Sequence, residues 1–353
     1  MTILRRVWPL LGPSLLVIAV ALASQLLPAA SQRQMKSVLV TAVVVVALYV
    51  FVGNSGVISF GHISFVAVGA FAAGVATAPA EVKPTTFPDL FPFLSNLEIG
   101  NVASLLLATT IGGVFAFVVG IPLMRLSGLS AGIATFAVLI ITNNVIRNWE
   151  AIGPGAKTLS LIPQTTGFAQ ATVGLLIVMA IAYVYQLSNS GRRLRATRED
   201  AAAAQSSGID VHRERLWAFT LSGALAGFAG GLLVHVRGSI TTGDVFLDLT
   251  FITLAMLVVG GIGSLWGAVL GALSIAGLNA FLAEATRGIG IGSYDLEIPG
   301  GTRLLTIGTV MLAVVLFRPT GLTGSRELMW PFRARQPLQT NPNDDGGVTR
   351  PAP

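Results

Sequence analysis

The chain has no cysteine among its 353 residues, so disulfides, thiolate metal sites and a thiol nucleophile are excluded, and redox chemistry says nothing about compartment. Charge is nearly as scarce. Asp, Glu, Lys and Arg make up 11% of residues against 53% apolar ones, and mean hydropathy is +0.76. Soluble domains carry roughly a quarter charged residues, so this composition belongs to an integral membrane protein. Three histidines without metal-ligand spacing offer no metal site. No GxxxxGK[ST] loop is present to cradle the phosphates of ATP. His62 sits among serines, but no GxSxG surrounds it, which argues against a Ser/His intramembrane protease and leaves no catalytic residue to name. The formal charge of +6 would suggest nucleic acid in a soluble chain. Here the basic residues fall in short connections between apolar spans, where they report orientation, and nucleic acid is not an expected partner.

What remains is a series of apolar runs long enough to cross a ~30 Å hydrocarbon core as helices rising ~1.5 Å per residue. Spans are predicted near 8–28, 37–53, 63–79, 101–123, 127–146, 169–187, 215–236 and 303–317, with a longer Gly-interrupted region at 245–283. The N-terminal run faintly resembles a signal peptide, but its length suits a spanning helix better. The alternation of a β-barrel is absent, so the expected fold is all-α and polytopic, with about ten spanning or partly spanning helices.

Arginine sets the direction. Arg192, Arg193, Arg195, Arg198, Arg213 and Arg215 crowd the connection 188–215, and Arg318, Arg326, Arg333, Arg335 and Arg350 follow the last span. Both regions are expected in the cytoplasm, as is the N-terminus with Arg5 and Arg6; only Arg33 and Lys36 oppose the rule. Return to the same side requires an even number of crossings after 215, so 245–283 is expected to cross twice or re-enter. Its break is "VVGGIGSLWGAV", at Gly260, Gly261, Gly263 and Ser264.

A similar interruption, "VGNSGVISFGHISFVAVGAF", surrounds Asn54, Ser59, His62 and Ser64 with glycines. Paired Gly-broken segments in two halves of a transporter point to the solute pathway, because irregular backbone at membrane depth survives only where protein or a watered cavity satisfies it. These eight residues are the candidate translocation path. Close helix packing alone is the plainer explanation of such glycines, and a hydrogen bond between helices the plainer explanation of His62. Asn143, Asn144 and Arg147 read as outer interfacial caps or a docking surface, His235 and Arg237 as an outer helix end, and Trp217 and Trp266 as interfacial anchors.

Within the basic connection, Thr197 followed three residues later by Asp200 suggests a capping box that starts a short helix at Thr197, stopped by Gly208. Two or three turns are marginal alone in water, so its order is expected to come from docking on a partner. The alternative is a linker whose arginines only enforce topology.

"EDAAAAQSSGI" resembles the Glu-Ala-Ala loop of bacterial ABC importer permeases. Together with "LSGALAGFAGGLL", "MLVVGGIGSLWGAVLGAL", "LFRPTGLTG" and the early "ISFGHISFVAVGAF", it closely resembles the M-type permease of branched-chain amino acid importers, from about residue 37 to 324. The resemblance implies a permease of the ABC importer type over residues 1–330, in a bacterial inner membrane with both termini cytoplasmic, and a tail over 331–353 that reads as disordered. Thr197, Arg198, Glu199, Asp200, Ala201, Ala202 and Gly208 would couple it to an ATPase subunit. It further implies two ATPase subunits that use ATP and Mg, a second homologous permease, an extracytoplasmic substrate-binding protein and contact with membrane lipid, with no cofactor in this chain. Relatives of this kind also move urea, short amides or other small acids, so the solute stays open. An ion-gradient-driven carrier is the rival of another class, but it normally needs an ionisable group mid-span. Asp248 and Glu284 lie near span ends, and the segments 80–100 and 285–301 have no assigned role.

Overall fold

In lipid, a backbone must satisfy its own polar groups, and this chain does so almost wholly as helix. The computed structural model describes residues 2–286, 289–291, 294–296, 300–318, 320–324 and 327. The proposed tail and four of the C-terminal arginines (Arg326, Arg333, Arg335, Arg350) lie outside the described residues. The long helices are α1 (Thr2–Ser24), α2 (Ala29–Ser55), α3 (His62–Thr77), α6 (Asn101–Leu123), α7 (Gly128–Asn148), α8 (Phe168–Leu187), α11 (Val211–Arg237), α12 (Leu247–Gly260), α13 (Leu265–Ala285) and α14 (Gly300–Phe317). Single turns α4 (Lys83–Thr86) and α5 (Pro92–Ser95) lie between α3 and α6, and α9 (Asn189–Glu199) and α10 (Ala201–Ser206) lie between α8 and α11. An antiparallel hairpin of β1 (Ile289–Ile291) and β2 (Tyr294–Leu296) joins α13 to α14. Eight helical segments among the described residues are long and apolar enough to cross a membrane; α3 and α14 supply shorter apolar stretches.

The boundaries differ from expectation where local chemistry outweighs hydropathy. Helix α1 begins earlier and ends at Ser24, not 28, and carries Pro9 and Pro13 within it. Helix α2 begins at Ala29, so Arg33 and Lys36 belong to its first turns and not to a connection. It stops at Ser55 because Gly56, at φ 70°, turns left-handed and sends its N–H back to the Val52 carbonyl at 3.0 Å. The region 245–283 does form two helices, broken at Gly261.

Helices α2, α3 and α11 form the centre. Helix α2 is apolar all round, as a fully enclosed helix must be, and Val38 to Val52 are buried without a gap apart from Thr41. Helix α11 instead offers small residues that let backbones approach closely. A Cβ at Gly227 would fall 2.3 Å from the Ala108 carbonyl of α6, and one at Gly230 would fall 2.1 Å from the Val66 carbonyl of α3. Outer helices show apolar side chains to the surroundings, among them Leu106, Val118, Ile133 and Val173.

Successive long helices alternate in direction, which gives the body two polar faces. On one lie the C-terminal ends of α2, α8, α12 and α14, the N-terminal ends of α7, α11 and α13, and the whole connection 188–210. Cross-links pin this face: Arg215 Nη1 donates to the Leu126 carbonyl at 3.3 Å and Arg198 Nη1 to the Gly53 carbonyl at 2.7 Å. On the opposite face Asn143 Nδ2 donates to the Thr242 carbonyl at 2.8 Å, and Leu159 pairs with Ile240 as an isolated bridge. Gln34 Nε2 donates there to Glu284 at 2.8 Å.

Candidate functional site: a basic connection against two broken helices

The connection between α8 and α11 is built from caps. Ser188 accepts the Gly191 N–H and opens α9, Asp200 accepts the Ala202 and Ala203 N–H groups at 2.8 and 3.0 Å and opens α10, and Asp210 accepts the Arg213 N–H and opens α11. The expected helix start at Thr197 is therefore wrong. Thr197 lies inside α9, buried, with its hydroxyl donating to the Leu194 carbonyl, and Asp200 is itself the cap. The spacing of a capping box was present, but Thr197 already had an acceptor in its own preceding turn. Gly208 is where the chain turns away from α10, at φ 81° with open space around it. Glu199, Asp200, Ala201 and Ala202 are exposed, whereas Ala204 packs inward. Between α9, residues 208–210 and α11 lies a cleft of about 680 Å³ with Arg193, Arg213, Asp210 and Trp217 on its walls. Arg193 and Glu214 form a 3.5 Å ion pair beside it.

Arg198 ties this connection to the first break. Its guanidinium meets the Gly53 carbonyl, one of the last carbonyls of α2 that has no partner further along the helix, and its Cγ would touch a Cβ at Gly56 at 2.9 Å. Across the break, the Phe60 N–H donates to Thr135 Oγ1 at 3.2 Å, and a Cβ at Gly61 would lie 2.3 Å from the Thr135 carbonyl. Ile58 and Phe60 look into an apolar cleft of about 350 Å³, whose other walls include Phe251, Leu254, Ile262 and Met311. Ser59, His62 and Ser64 are buried among the packed helices.

Of those three, Ser59 Oγ, His62 Nε2 and Ser64 Oγ have no hydrogen-bond partner among the described residues. His62 Nδ1 lies 3.4 Å from Ser222 Oγ of α11, which donates to the Ala47 carbonyl at 2.7 Å. Asn54 is satisfied within α2 by the Val50 carbonyl at 2.9 Å. None of these four polar residues lines the apolar cleft.

The second break adjoins the first. A Cβ at Gly53 would fall 2.8 Å from the Ile262 carbonyl. Gly261 has φ 119°, and a Cβ at Gly260 would lie 1.8 Å from the Gly267 carbonyl, so α12 and α13 meet here with no room for side chains. Gly263 lies in the turn, and Ser264 accepts the Gly267 N–H at 2.8 Å as the cap of α13. Gly260 and Gly261 therefore serve both close packing and backbone geometry. The two expected halves of the path are one structural neighbourhood.

Towards the opposite face, a cleft of about 420 Å³ lies between α2, α12 and α13, with Gln34, Thr41, Arg237, Leu249, Ile252 and Met256 on its walls. Arg237 also pairs with Asp244 at 3.4 Å. His235, expected at a helix end, is indeed near one but fully buried, held between Ser104 Oγ at 2.9 Å and the Pro163 carbonyl at 3.1 Å. It reads as a structural histidine. Trp217 is half exposed, as expected of an anchor, whereas Trp266 packs on Gly12 of α1. The pentapeptide Gly128-Leu129-Ser130-Ala131-Gly132 has the GxSxG spacing, but it forms the first turn of α7, beginning at a left-handed Gly128, and does not follow a strand, so it is not a nucleophile elbow.

The family described as the branched-chain amino acid transport system permease component matches residues 32–315. The chain is 34% identical over 163 residues to the probable branched-chain amino acid transport permease protein LivH of Methanocaldococcus jannaschii, covering 44% of this chain and 48% of that one. It is 26% identical over 309 residues to the high-affinity branched-chain amino acid transport system permease protein LivM of Salmonella typhimurium, covering 78% and 65%. Over 313 residues it is 26% identical to the probable LivM of M. jannaschii, covering 79% and 89%. The chain thus spans between about half and two thirds of the first two relatives and most of the third. No solved structure matches. With the match running from the first turn of α2 to the last turns of α14 and taking in both breaks and the capped connection, this chain belongs to the family described as the permease component of branched-chain amino acid transport systems.

Proposed function

We propose that this chain is the membrane permease of an ATP-driven ABC importer that moves branched-chain amino acids by alternating access, with α9 and α10 as its coupling segment. The observation that carries the reading is the 2.7 Å hydrogen bond from Arg198 to the Gly53 carbonyl. A connection that displays an exposed, uncharged Ala-rich turn to a partner is joined directly to the place where α2 loses its helical bonding. Two ATPase subunits hydrolysing Mg-bound ATP would take α10 and the neighbouring cleft at Arg193 and Arg213 as their docking surface. Their closure would then pull on the two adjoining breaks. ATP can bias the outward and inward arrangements only by its differential affinity for them, and the coupling segment is how that difference reaches the spans.

On this reading the face bearing 188–210 and both termini is cytoplasmic, a second permease copy or relative stands beside this chain, and a soluble binding protein delivers solute to the opposite face. Two open clefts on the helical body support branched-chain amino acids over urea or short amides. One is apolar throughout, and the other sets Arg237, which also pairs with Asp244, near Leu249, Ile252 and Met256, a combination suited to a carboxylate carried on an aliphatic group.

The test is uptake of L-leucine into proteoliposomes holding the complete transporter or this permease without ATPase. Uptake is expected only with ATPase and ATP, and Gly208→Val is expected to abolish it while the helical content of the purified chain is unchanged, since a β-branched residue resists φ 81° but meets no neighbour. Uptake without any ATPase would overturn the reading in favour of an ion-driven carrier.

A further inference from the structure

A helix that stops at Gly260 and another that starts at Leu265 leave carbonyls on one side of the turn and N–H groups on the other without partners in their own helix. Most of the missing partners come from the chain after α14. Leu322 N–H donates to the Val259 carbonyl at 2.8 Å, and Thr323 meets the Gly260 carbonyl twice, through N–H at 3.1 Å and Oγ1 at 2.9 Å. Glu327 accepts the Leu265 N–H at 2.8 Å and the Trp266 N–H at 3.4 Å. Gly321 makes the close approach possible: at φ 79°, a Cβ there would fall 2.6 Å from Gly261 backbone.

Glu327 does more than cap α13. The same Oε1 that holds the Leu265 N–H accepts Gln186 Nε2 at 3.2 Å, at the end of α8. The Gln186 side-chain oxygen accepts the Tyr49 hydroxyl of α2 at 3.0 Å, and its backbone carbonyl accepts the Arg195 guanidinium of α9. Burial holds the Glu327 carboxyl above its ordinary range, against the bonds from Leu265, Gln186 and Trp266 and the charge of Arg195, which draw it down. The cap on α13 needs only the bonds to the Leu265 and Trp266 N–H groups, so the bond to Gln186 on α8 is a further connection.

We propose that Glu327 is a positioning residue for transport: it joins the α12–α13 break to Gln186, and through Gln186 to Arg195 on the coupling segment. Displacement of α9 therefore reaches the two breaks by separate routes, Arg198 to the first and Gln186–Glu327 to the second. This rests on the ABC reading above.

The experiment uses the complete transporter in proteoliposomes and reads L-leucine taken up per ATP hydrolysed for Glu327→Ala, Glu327→Gln and Gln186→Ala, with assembly checked on each. Glu327→Ala is expected to keep ATP hydrolysis and lower uptake per ATP by about tenfold, the scale set by losing a charge-assisted hydrogen bond. Glu327→Gln keeps an oxygen for the Leu265 N–H but loses the charge, and is expected to fall between. Gln186→Ala, which leaves the cap on α13 in place, is expected to lower uptake per ATP but less than Glu327→Ala, with the double variant no worse than Glu327→Ala, because both cut the same link. Unchanged uptake per ATP in Glu327→Ala, or in Glu327→Gln where the alanine variant does not assemble, overturns the proposal, as does additive loss in the double variant. Leucine uptake without ATPase would overturn the ABC reading itself, a distinguishable failure.

Discussion

Arg198 is the residue on which the coupling argument turns. It is one arginine of six in a stretch where positive charge alone would set topology, and only its placement against Gly53 separates it from the others. Arg198→Ala is expected to lower leucine uptake by about tenfold while leaving membrane insertion intact, because a charge-assisted bond to an otherwise unpartnered carbonyl is lost but five neighbouring arginines still orient the loop. Normal uptake per ATP in that variant would remove the link between coupling segment and first break. At this scale the sequence was partly legible. The polar cluster Ser59, His62 and Ser64 did prove buried, with atoms that have no partner among the described residues, yet none of the three lines the cleft that their neighbours Ile58 and Phe60 face. Which way a residue points in a broken segment depends on the helices packed around it, here α7 and α11, and no periodicity applies there. Glu327 gave no sign either: it follows a motif that carried resemblance but no assigned role, and its partners lie 62 and 141 residues away.

Among the elements, the α12–α13 pair was legible from its glycines and from parity, because Gly260, Gly261 and Gly263 interrupt apolar helix in a stretch that had to turn back. Why Gly260 must be glycine came only with the facing helix. Gly260→Ala is expected to lower the melting temperature or prevent folding, since its Cβ would lie 1.8 Å from the Gly267 carbonyl. Gly277→Ala in the same pair meets nothing within 4 Å among the described residues and is expected to be neutral or stabilising by about 0.5–1 kcal/mol. Equal melting temperatures for the two variants would show that the break is not closely packed. The misplaced start of the coupling helix has a similarly local cause. Thr and Asp three residues apart satisfy a capping pattern, but α9 continued through Thr197 because its hydroxyl bonds back to Leu194 and Leu194 is buried, so the kink came at Asp200.

For the whole molecule, absence of cysteine becomes an experimental advantage. Single substitutions Ala202→Cys on α10 and Glu81→Cys on the connection after α3 place exposed thiols on opposite faces. A membrane-impermeant maleimide is expected to label Glu81→Cys in intact cells and Ala202→Cys only after permeabilisation. The reverse pattern would invert the topology and sink the assignment of 188–210 as a coupling segment. Hydropathy and arginine placement already determined that the chain is helical, crosses repeatedly and concentrates positive charge on one face, because lipid permits only self-satisfied backbone and each apolar run must be long enough to span. Tertiary structure alone decided that the two glycine breaks touch, that Arg198 reaches one of them and that Glu327 holds the other. Those contacts join residues far apart in sequence through single backbone carbonyls and N–H groups, whose availability depends on where each helix happens to end against its neighbours.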